Sequence, residues 1–128
     1  MRDPRPGLSW STARVKRRER YGTYMDSLGW FRRREAWEAA WIASHGVAPA
    51  CAACGGEWNL QQGDLHHRSY DRLGSESNGD LIAMCRPCHM QLHAIMEGSP
   101  AWRRLPRTQA TDLLVARMRA EIAKRTEQ

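Results

Sequence analysis

The sequence predicts a single small α+β domain whose hydrophobic core is too small to stabilise the fold without an additional cross-link. Its 128 residues and 14.7 kDa suit one domain and are too few for two conventional ones. A mean hydropathy of −0.70, with 10 glycines and 6 prolines, indicates a loop-rich chain with a small core. Helical periodicity near both ends and short apolar runs between them indicate a mixture of helices and strands.

The charge of the chain favours a polyanionic partner. Lysine and arginine together number 20 against 14 acidic residues, which gives a net charge of +6 and an isoelectric point near 9.7. Such a charge favours nucleic acid first and an anionic membrane second. Only Lys16 and Lys124 are lysines, and the planar fork of arginine suits phosphate, although a GC-rich genome would produce the same bias.

Residues 1–20 are predicted to form a flexible basic arm. They contain seven basic residues against Asp3 and Glu19. An arm that contacts nucleic acid and a merely solvating tail fit this composition equally well. No apolar stretch typical of a secretory signal follows Met1, and no run is long enough to span a membrane, so we expect a cytoplasmic protein.

A helix is predicted from Ser27 to His45. Trp30, Trp37 and Trp41 recur at spacings of seven and four, so they share one helix face, while most charged residues lie elsewhere. A glycine directly after the helix is a typical stop signal. Tryptophans at this spacing belong to a core more often than they stack on bases, and we assign them to the core.

Short strands are predicted in the middle of the chain. Trp58–Leu60 and Leu65–His67 flank Gln62–Asp64, whose central glycine is typical of a hairpin turn. The polar segment Arg68–Gly79 is predicted to be a loop. The short apolar run Leu81–Met84 follows it.

Two further helices are predicted in the last third of the chain. Cys88–Met96 can form a helix that ends at a Gly-Ser-Pro sequence. A second helix, amphipathic, is predicted from Thr108 or Thr111 to about Lys124. Its apolar residues recur at four-residue intervals: Leu114, Met118 and Ile122.

Four cysteines form two Cys-x-x-Cys pairs with 30 residues between them: Cys51, Cys54, Cys85 and Cys88. A cytoplasmic chain keeps its thiols reduced, so such pairs indicate metal ligands ahead of disulfides or free thiols. Four thiolates suit zinc, and a four-sulfur site is closed, which makes it structural rather than catalytic. Bound zinc would also supply folding free energy that a small core lacks.

Four of the five histidines lie near the second cysteine pair or between the pairs: His66, His67, His89 and His93. His89 and His93 are four residues apart and so share one helix face. His66 and His67 are adjacent at a strand end and must point in opposite directions. One of these two can therefore bind a metal ion together with His89 and His93 while the other faces away. The alternative is that the histidines are surface residues or substitute zinc ligands.

The order of these cysteines and histidines, with Asp80-Leu81 and Met84 between them, strongly resembles the HNH endonucleases of the ββα-metal fold. The likeness extends upstream through Tyr21-x-x-Tyr24 and Ser27-x-x-Trp30 to a phage and bacterial subgroup, and it covers about residues 21–97. It implies a nuclease domain at 21–100, after the arm at 1–20 and before an amphipathic C-terminal helix at 101–128. It also implies that the four cysteines form a treble-clef zinc site.

The resemblance also implies individual roles. His67 matches the general base, and His66, His89 and His93 match the ligands of one catalytic divalent ion, which can be Mg²⁺, Mn²⁺, Ni²⁺ or Zn²⁺. Asp80 occupies the position of the central asparagine of the motif and is expected to orient His67; Asn78 is the alternative. Three arginines are expected to contact DNA phosphates, although a solvated surface explains each almost as well: Arg68, Arg72 and Arg86.

The expected function is metal-dependent hydrolysis of DNA phosphodiester bonds, by nicking or by cutting both strands. A phage or mobile-element origin, activity in the host cytoplasm and a role in genome packaging are further implications of the resemblance. DNA is then the partner, without a membrane, together with a second copy of the chain or phage packaging proteins. The alternatives are a non-catalytic zinc module that binds nucleic acid or protein, and a ribonuclease with the same site.

Overall fold

The computed structural model describes residues 19–127, and it confirms the predicted α+β class. A short helical segment at 19–25 precedes the main elements. These are α1 (Leu28–His45), β1 (Gly63–His67), β2 (Leu81–Cys85), α2 (Arg86–Glu97), α3 (Pro100–Arg104) and α4 (Arg107–Thr126). The order of β1, β2 and α2 is a ββα arrangement. Residues 1–18 lie outside the described part, so the basic arm stays a prediction.

Helix α1 begins and ends where the sequence predicts. Ser27 Oγ accepts a hydrogen bond from the Trp30 backbone N–H at 3.1 Å, which caps the first turn. Gly46 ends the helix in the left-handed conformation at φ = 73°, where it donates its N–H to the Ile42 carbonyl. Trp30 and Trp37 are buried, which confirms the assignment of these tryptophans to the core.

The two strands pair antiparallel, and their partners differ from the prediction. The register runs from Gly63 opposite Cys85 to His67 opposite Leu81. A hairpin between Trp58–Leu60 and Leu65–His67 is therefore wrong, because residues 58–60 form no strand. The predicted apolar run forms β2 and supplies the partner of β1.

Trp58 explains why the glycine at position 63 lies in a strand rather than a turn. Its indole Nε1 donates a hydrogen bond to the Asp64 carbonyl at 2.8 Å. The ring covers Gly63 so closely that a Cβ atom there would lie 2.2 Å from Nε1. Gly63 thus provides the close approach of backbone and ring that the start of β1 requires.

The hairpin lies between two groups of buried side chains. Trp30, Trp37, Trp58, Leu65 and Leu81 form one core cluster with α1. A second cluster joins β2, α2 and α4, through residues that include Met84, Leu92, Leu114 and Met118. Both faces of the small sheet are therefore covered, and its strands are held in a fixed position relative to the helices.

The helices after β2 confirm and extend the prediction. Helix α2 contains the predicted Cys88–Met96 segment, with a proline in its first turn. Helix α4 contains the predicted amphipathic helix and begins at Arg107, whereas α3 was not expected. Arg119 of α4 donates to the Ala52 carbonyl at 2.7 Å, which joins this helix to the first cysteine pair. Within residues 19–127, no helix is long and apolar enough to cross a membrane.

Candidate metal centres and active site

The four cysteine side chains converge at one point. Their Sγ atoms all lie within 4.8 Å of one another, although the chain separates the two pairs by most of the hairpin. Sγ of Cys54 and Sγ of Cys85 are 3.8 Å apart. Tetrahedral zinc with Zn–S bonds of about 2.3 Å requires about 3.8 Å between sulfurs. The four cysteines are therefore positioned for a structural zinc ion.

Backbone hydrogen bonds shape the first cysteine pair. Cys51 donates its N–H to the Gly56 carbonyl and accepts from the Gly55 N–H, both at 2.9 Å, and Gly55 takes the left-handed conformation. Ala52 donates to the Ala83 carbonyl of β2 at 2.8 Å, which fixes this turn against the sheet. The second pair needs no separate turn, because Cys85 ends β2 and Cys88 lies in the first turn of α2.

The ionisation of Cys51 is consistent with metal binding. Burial opposes ionisation, but nearby backbone N–H groups, those of Cys54, Cys85 and Ala53, outweigh it and lower the pKa of Cys51 to about 7. Donors that stabilise a thiolate in the folded chain also favour its binding to a metal ion.

Three histidines converge at a second point. His66 of β1 and His89 and His93 of α2 each place a ring nitrogen within 4.8 Å of the other two. Nε2 of His89 lies 3.1 Å from Nε2 of His93. Nitrogens bound to one tetrahedral ion at about 2.0–2.1 Å lie about 3.4 Å apart, so the pair has a suitable spacing.

The Nδ1 atom of His66 supports a metal site among these three histidines. Its Nδ1 is buried and has no hydrogen-bond partner within the described residues. A buried polar atom without a partner is costly, and such an atom needs an explanation. A metal ion held by these three histidines would satisfy Nδ1, so the donor set fits a metal ion.

In each of these histidines, the ring nitrogen that faces away from the proposed metal site is hydrogen-bonded to a side-chain oxygen. The pairs are His66 Nε2 with Thr111 Oγ1 at 2.9 Å, His89 Nδ1 with Asp64 Oδ2 at 3.0 Å, and His93 Nδ1 with Glu97 Oε2 at 3.0 Å. Such partners fix the tautomer and the ring orientation of metal-binding histidines. Sequence reasoning missed all three partners. Thr111 and Asp64 are far from their histidines in sequence, whereas the four-residue spacing of Glu97 from His93 is a signal that could have identified it.

Burial keeps two of the ligand rings neutral. Burial lowers the pKa of His66 to about 2, with a smaller contribution from the positive charge of Arg107. Burial also lowers the pKa of His89, against the opposing effect of Asp64. Neutral imidazole is the form that binds a metal ion, so these rings are ready to bind at physiological pH.

His67 points to the opposite face of β1. Its ring stacks on Trp30 with 4.9 Å between ring centroids and 27° between planes. Its Nε2 lies 2.7 Å from Oε2 of Glu76, and Oε1 of Glu76 accepts a hydrogen bond from the Tyr24 hydroxyl at 2.7 Å. Burial lowers the pKa of His67, although Glu76 opposes this. A neutral imidazole with one nitrogen held by a carboxylate can accept a proton at the other nitrogen.

Asp80 and Asn78 have different contacts from those expected. The Asp80 carboxylate accepts from Arg72, with 2.8 Å between Nε and Oδ2, and from the Ser77 backbone N–H at 3.0 Å. Asn78 accepts a hydrogen bond from Arg33. Within the described residues neither side chain forms a hydrogen bond with the His67 ring, and Glu76 makes the hydrogen bond to His67 that was expected of Asp80. The sequence prediction missed Glu76, which lies in the polar segment assigned only to a loop.

The three arginines predicted to contact DNA are all ion-paired. Arg68 pairs with Asp112, Arg72 with Asp80, and Arg86 with Asp64. Arg72 and Arg86 are still 55% and 60% exposed, so they can also meet a phosphate at the surface. Sequence reasoning missed a fourth arginine, Arg107, whose Nε donates to the His67 carbonyl at 2.7 Å.

Comparison of this chain with protein-family models, with curated proteins and with solved structures gives no match.

Proposed function

We propose that this chain is a metal-dependent endonuclease of the HNH type that hydrolyses DNA phosphodiester bonds. The observation that carries the proposal is that two adjacent histidines of β1 point to opposite faces of the strand and have different neighbours. His66 turns towards His89 and His93, while the adjacent His67 turns towards Glu76. The ββα order of β1, β2 and α2 and the four-cysteine cluster support the same family.

His67 acts as the general base in this proposal. The Glu76 carboxylate accepts a hydrogen bond from Nε2–H of His67, so Nδ1 is the nitrogen that removes a proton from water. The oxygen of that water attacks phosphorus, the bond from phosphorus to the 3′ oxygen breaks, and the proton resides on Nδ1. Trp30 restrains the ring through stacking, so the base loses little freedom in the reaction.

His66, His89 and His93 would hold the catalytic ion. A divalent ion there would neutralise charge on the scissile phosphate and on the departing oxygen. Three imidazole ligands suit Zn²⁺ or Ni²⁺ better than Mg²⁺, which prefers oxygen ligands. We therefore expect tight retention of Zn²⁺ or Ni²⁺ and weak retention of Mg²⁺.

DNA is the proposed substrate because the chain carries a net charge of +6, which favours sequence-independent phosphate contacts. Residues 19–127 contain one such histidine site, so cutting of both strands requires two copies or two successive events. A phage origin and a place in genome packaging remain proposals that rest on the resemblance alone.

A non-catalytic zinc module is the second candidate, and the four-cysteine cluster alone would suit it. It does not account for Nδ1 of His66, which is buried and without a partner within residues 19–127. It also gives no role to the buried pair of His67 and Glu76. These two features favour the enzyme.

Plasmid cleavage tests the proposal. The wild-type protein is compared with His67→Ala and with His45→Ala across Mg²⁺, Mn²⁺, Ni²⁺ and Zn²⁺. His45 is an exposed histidine of α1 stacked on Trp41, remote from both clusters in its contacts, and it serves as the matched control. We expect His67→Ala to lose cleavage and His45→Ala to keep it. Wild-type protein that binds DNA and cuts neither DNA nor RNA with any of these ions would favour the non-catalytic module.

A further inference from the structure

Arg107, the first residue of α4, lies beside both histidine groups although no motif marks it. Its Nε donates to the backbone carbonyl of His67 at 2.7 Å. After the larger effect of burial, its positive charge also lowers the pKa of His66, His67 and His89. The guanidinium is therefore close to the proposed base and to the proposed ligands at once.

Tyr70 holds this guanidinium in place. The central carbon of the Arg107 side chain lies 4.2 Å from the centroid of the Tyr70 ring. Tyr70 in turn contacts the His67 ring, with 5.4 Å between ring centroids. A guanidinium that is fixed by one N–H and by an aromatic face keeps its other donors in a defined direction.

Arg107 also differs in its charge balance from the three arginines that were predicted to contact DNA. Arg68, Arg72 and Arg86 each form an ion pair with an aspartate. Within residues 19–127, no carboxylate lies within ion-pair distance of Arg107, and its Nη1 and Nη2 make no hydrogen bond. Burial lowers the pKa of Arg107, against smaller opposing effects of Tyr70, Tyr21 and Glu97. The guanidinium is thus partly buried without an ion pair of its own.

We infer that Arg107 binds the phosphate group on which the site acts, with its two Nη groups donating to non-bridging phosphate oxygens. Arginine can form two parallel hydrogen bonds to such oxygens, and a half-buried position strengthens them. The inference rests on the proposed function for the identity of the substrate. It adds a substrate-binding residue from α4, which lies outside the segment that resembles the HNH family.

Phosphate binding tests the inference without requiring cleavage. Inorganic phosphate is titrated by calorimetry into the full-length, Ni²⁺-loaded His67→Ala protein, and then into the same protein with Arg107→Ala or Arg117→Ala added. Arg117 is an exposed arginine of the same helix, paired with Glu121, so its removal changes the net charge equally. Because the imidazole is already absent, a lost phosphate affinity cannot come from displacement of the His67 ring.

We expect Arg107→Ala to weaken phosphate binding at least about tenfold and Arg117→Ala to change it less than about twofold, since a charge-assisted bidentate contact is lost only in the first. In the otherwise wild-type protein, Arg107→Ala should lower kcat/KM for DNA at least as much, and Arg107→Lys should restore part of it. Equal phosphate affinity in the Arg107→Ala and Arg117→Ala proteins would overturn the inference. Phosphate binding that depends on Arg107 in a protein that never cleaves DNA would uphold the inference and reject the proposed reaction.

Discussion

Nε2 of His67 and Oε2 of Glu76 are 2.7 Å apart, and the two side chains are only 1% and 0% exposed to solvent. Two hydrogen bonds, from His67 and from Tyr24, lower the pKa of the Glu76 carboxyl in spite of its burial. The ionised carboxylate therefore fixes which imidazole nitrogen carries the proton. A buried contact of this kind sets the orientation of a general base before any substrate arrives.

Glu76→Ala should reduce kcat for DNA cleavage by about 10²- to 10⁴-fold, because the imidazole loses its fixed tautomer and orientation. Glu76→Gln should be less damaging, since the amide oxygen can still accept from Nε2. Asp71→Ala in the same loop removes an exposed carboxylate and should leave kcat within about twofold. Steady-state cleavage rates measure all three. Equal rates for Glu76→Ala and the Asp71 control would remove Glu76 from the mechanism.

The two metal sites should separate by stoichiometry. We expect one zinc ion that survives dialysis in the protein with both His89→Ala and His93→Ala, because the four cysteines are unchanged. Cys85→Ser should lose this zinc and the cooperative thermal transition with it. Elemental analysis and circular dichroism provide the two readings. A cooperatively folded Cys85→Ser protein without zinc would contradict a structural role of the cluster.

Asp80 should contribute to acid stability. Arg72 lowers the pKa of Asp80 from its usual 3.8 to about 2, helped by the Ser77 backbone N–H. A carboxyl with a lowered pKa in the folded state stabilises the fold above the unfolded value, and this contribution is lost as the pH falls from about 4 to about 2. Asp80→Asn should therefore cost about 1–2 kcal/mol in the free energy of unfolding at pH 7, and less at pH 3. Urea unfolding at both pH values measures the difference, and an equal cost at the two would refute it.

Gly63→Ala should destabilise the protein by about 1–3 kcal/mol, because the added methyl group would overlap the Trp58 indole. Gly79 has no atom within 4 Å of an added Cβ, so Gly79→Ala is the matched control and should be nearly neutral. Chemical unfolding and tryptophan fluorescence follow both changes. If the two variants prove equally stable, Trp58 does not restrict position 63.

Deletion of residues 1–20, the predicted basic arm, should flatten the dependence of log affinity for DNA on log salt concentration. Each phosphate contact that is lost should reduce the slope by about 0.9 for double-stranded DNA. Fluorescence anisotropy at several salt concentrations measures the slope of the full-length and shortened chains. An unchanged slope would mean that the deleted segment makes no phosphate contacts and is only a solvated tail.

The sequence predicts α1, α2, α4 and both groups of metal ligands because these patterns are local. Trp30, Trp37 and the Cys-x-x-Cys pairs follow short spacings that only a few structures satisfy. The partner strand of β1 could not be predicted in this way, because the sequence offers two short apolar runs, Trp58–Leu60 and Leu81–Met84, and either could pair with it. Gly63 indicates a turn when only its neighbours are considered, and its contact with Trp58 becomes visible only in three dimensions.

Glu76 and Arg107 show the same restriction at the site. Glu76 lies nine residues after His67 in a loop without periodicity, and Arg107 lies 40 residues after it. Neither distance is set by a helix or a strand. Only the folded chain brings Glu76 and Arg107 to His67. The four-residue spacing of His89 and His93, in contrast, predicts from the sequence that they share one helix face.

The alternation of His66 and His67 along β1 determines where the chain can change in length. A shift of one residue in the pairing of β1 with β2 would turn His67 towards α2 and His66 towards Glu76, exchanging ligand and base. A single insertion or deletion within 63–67 would thus disable both halves of the site together. The exposed tip around Gly74, where the backbone already takes a positive φ of 92°, is the place where added residues would leave the register unchanged.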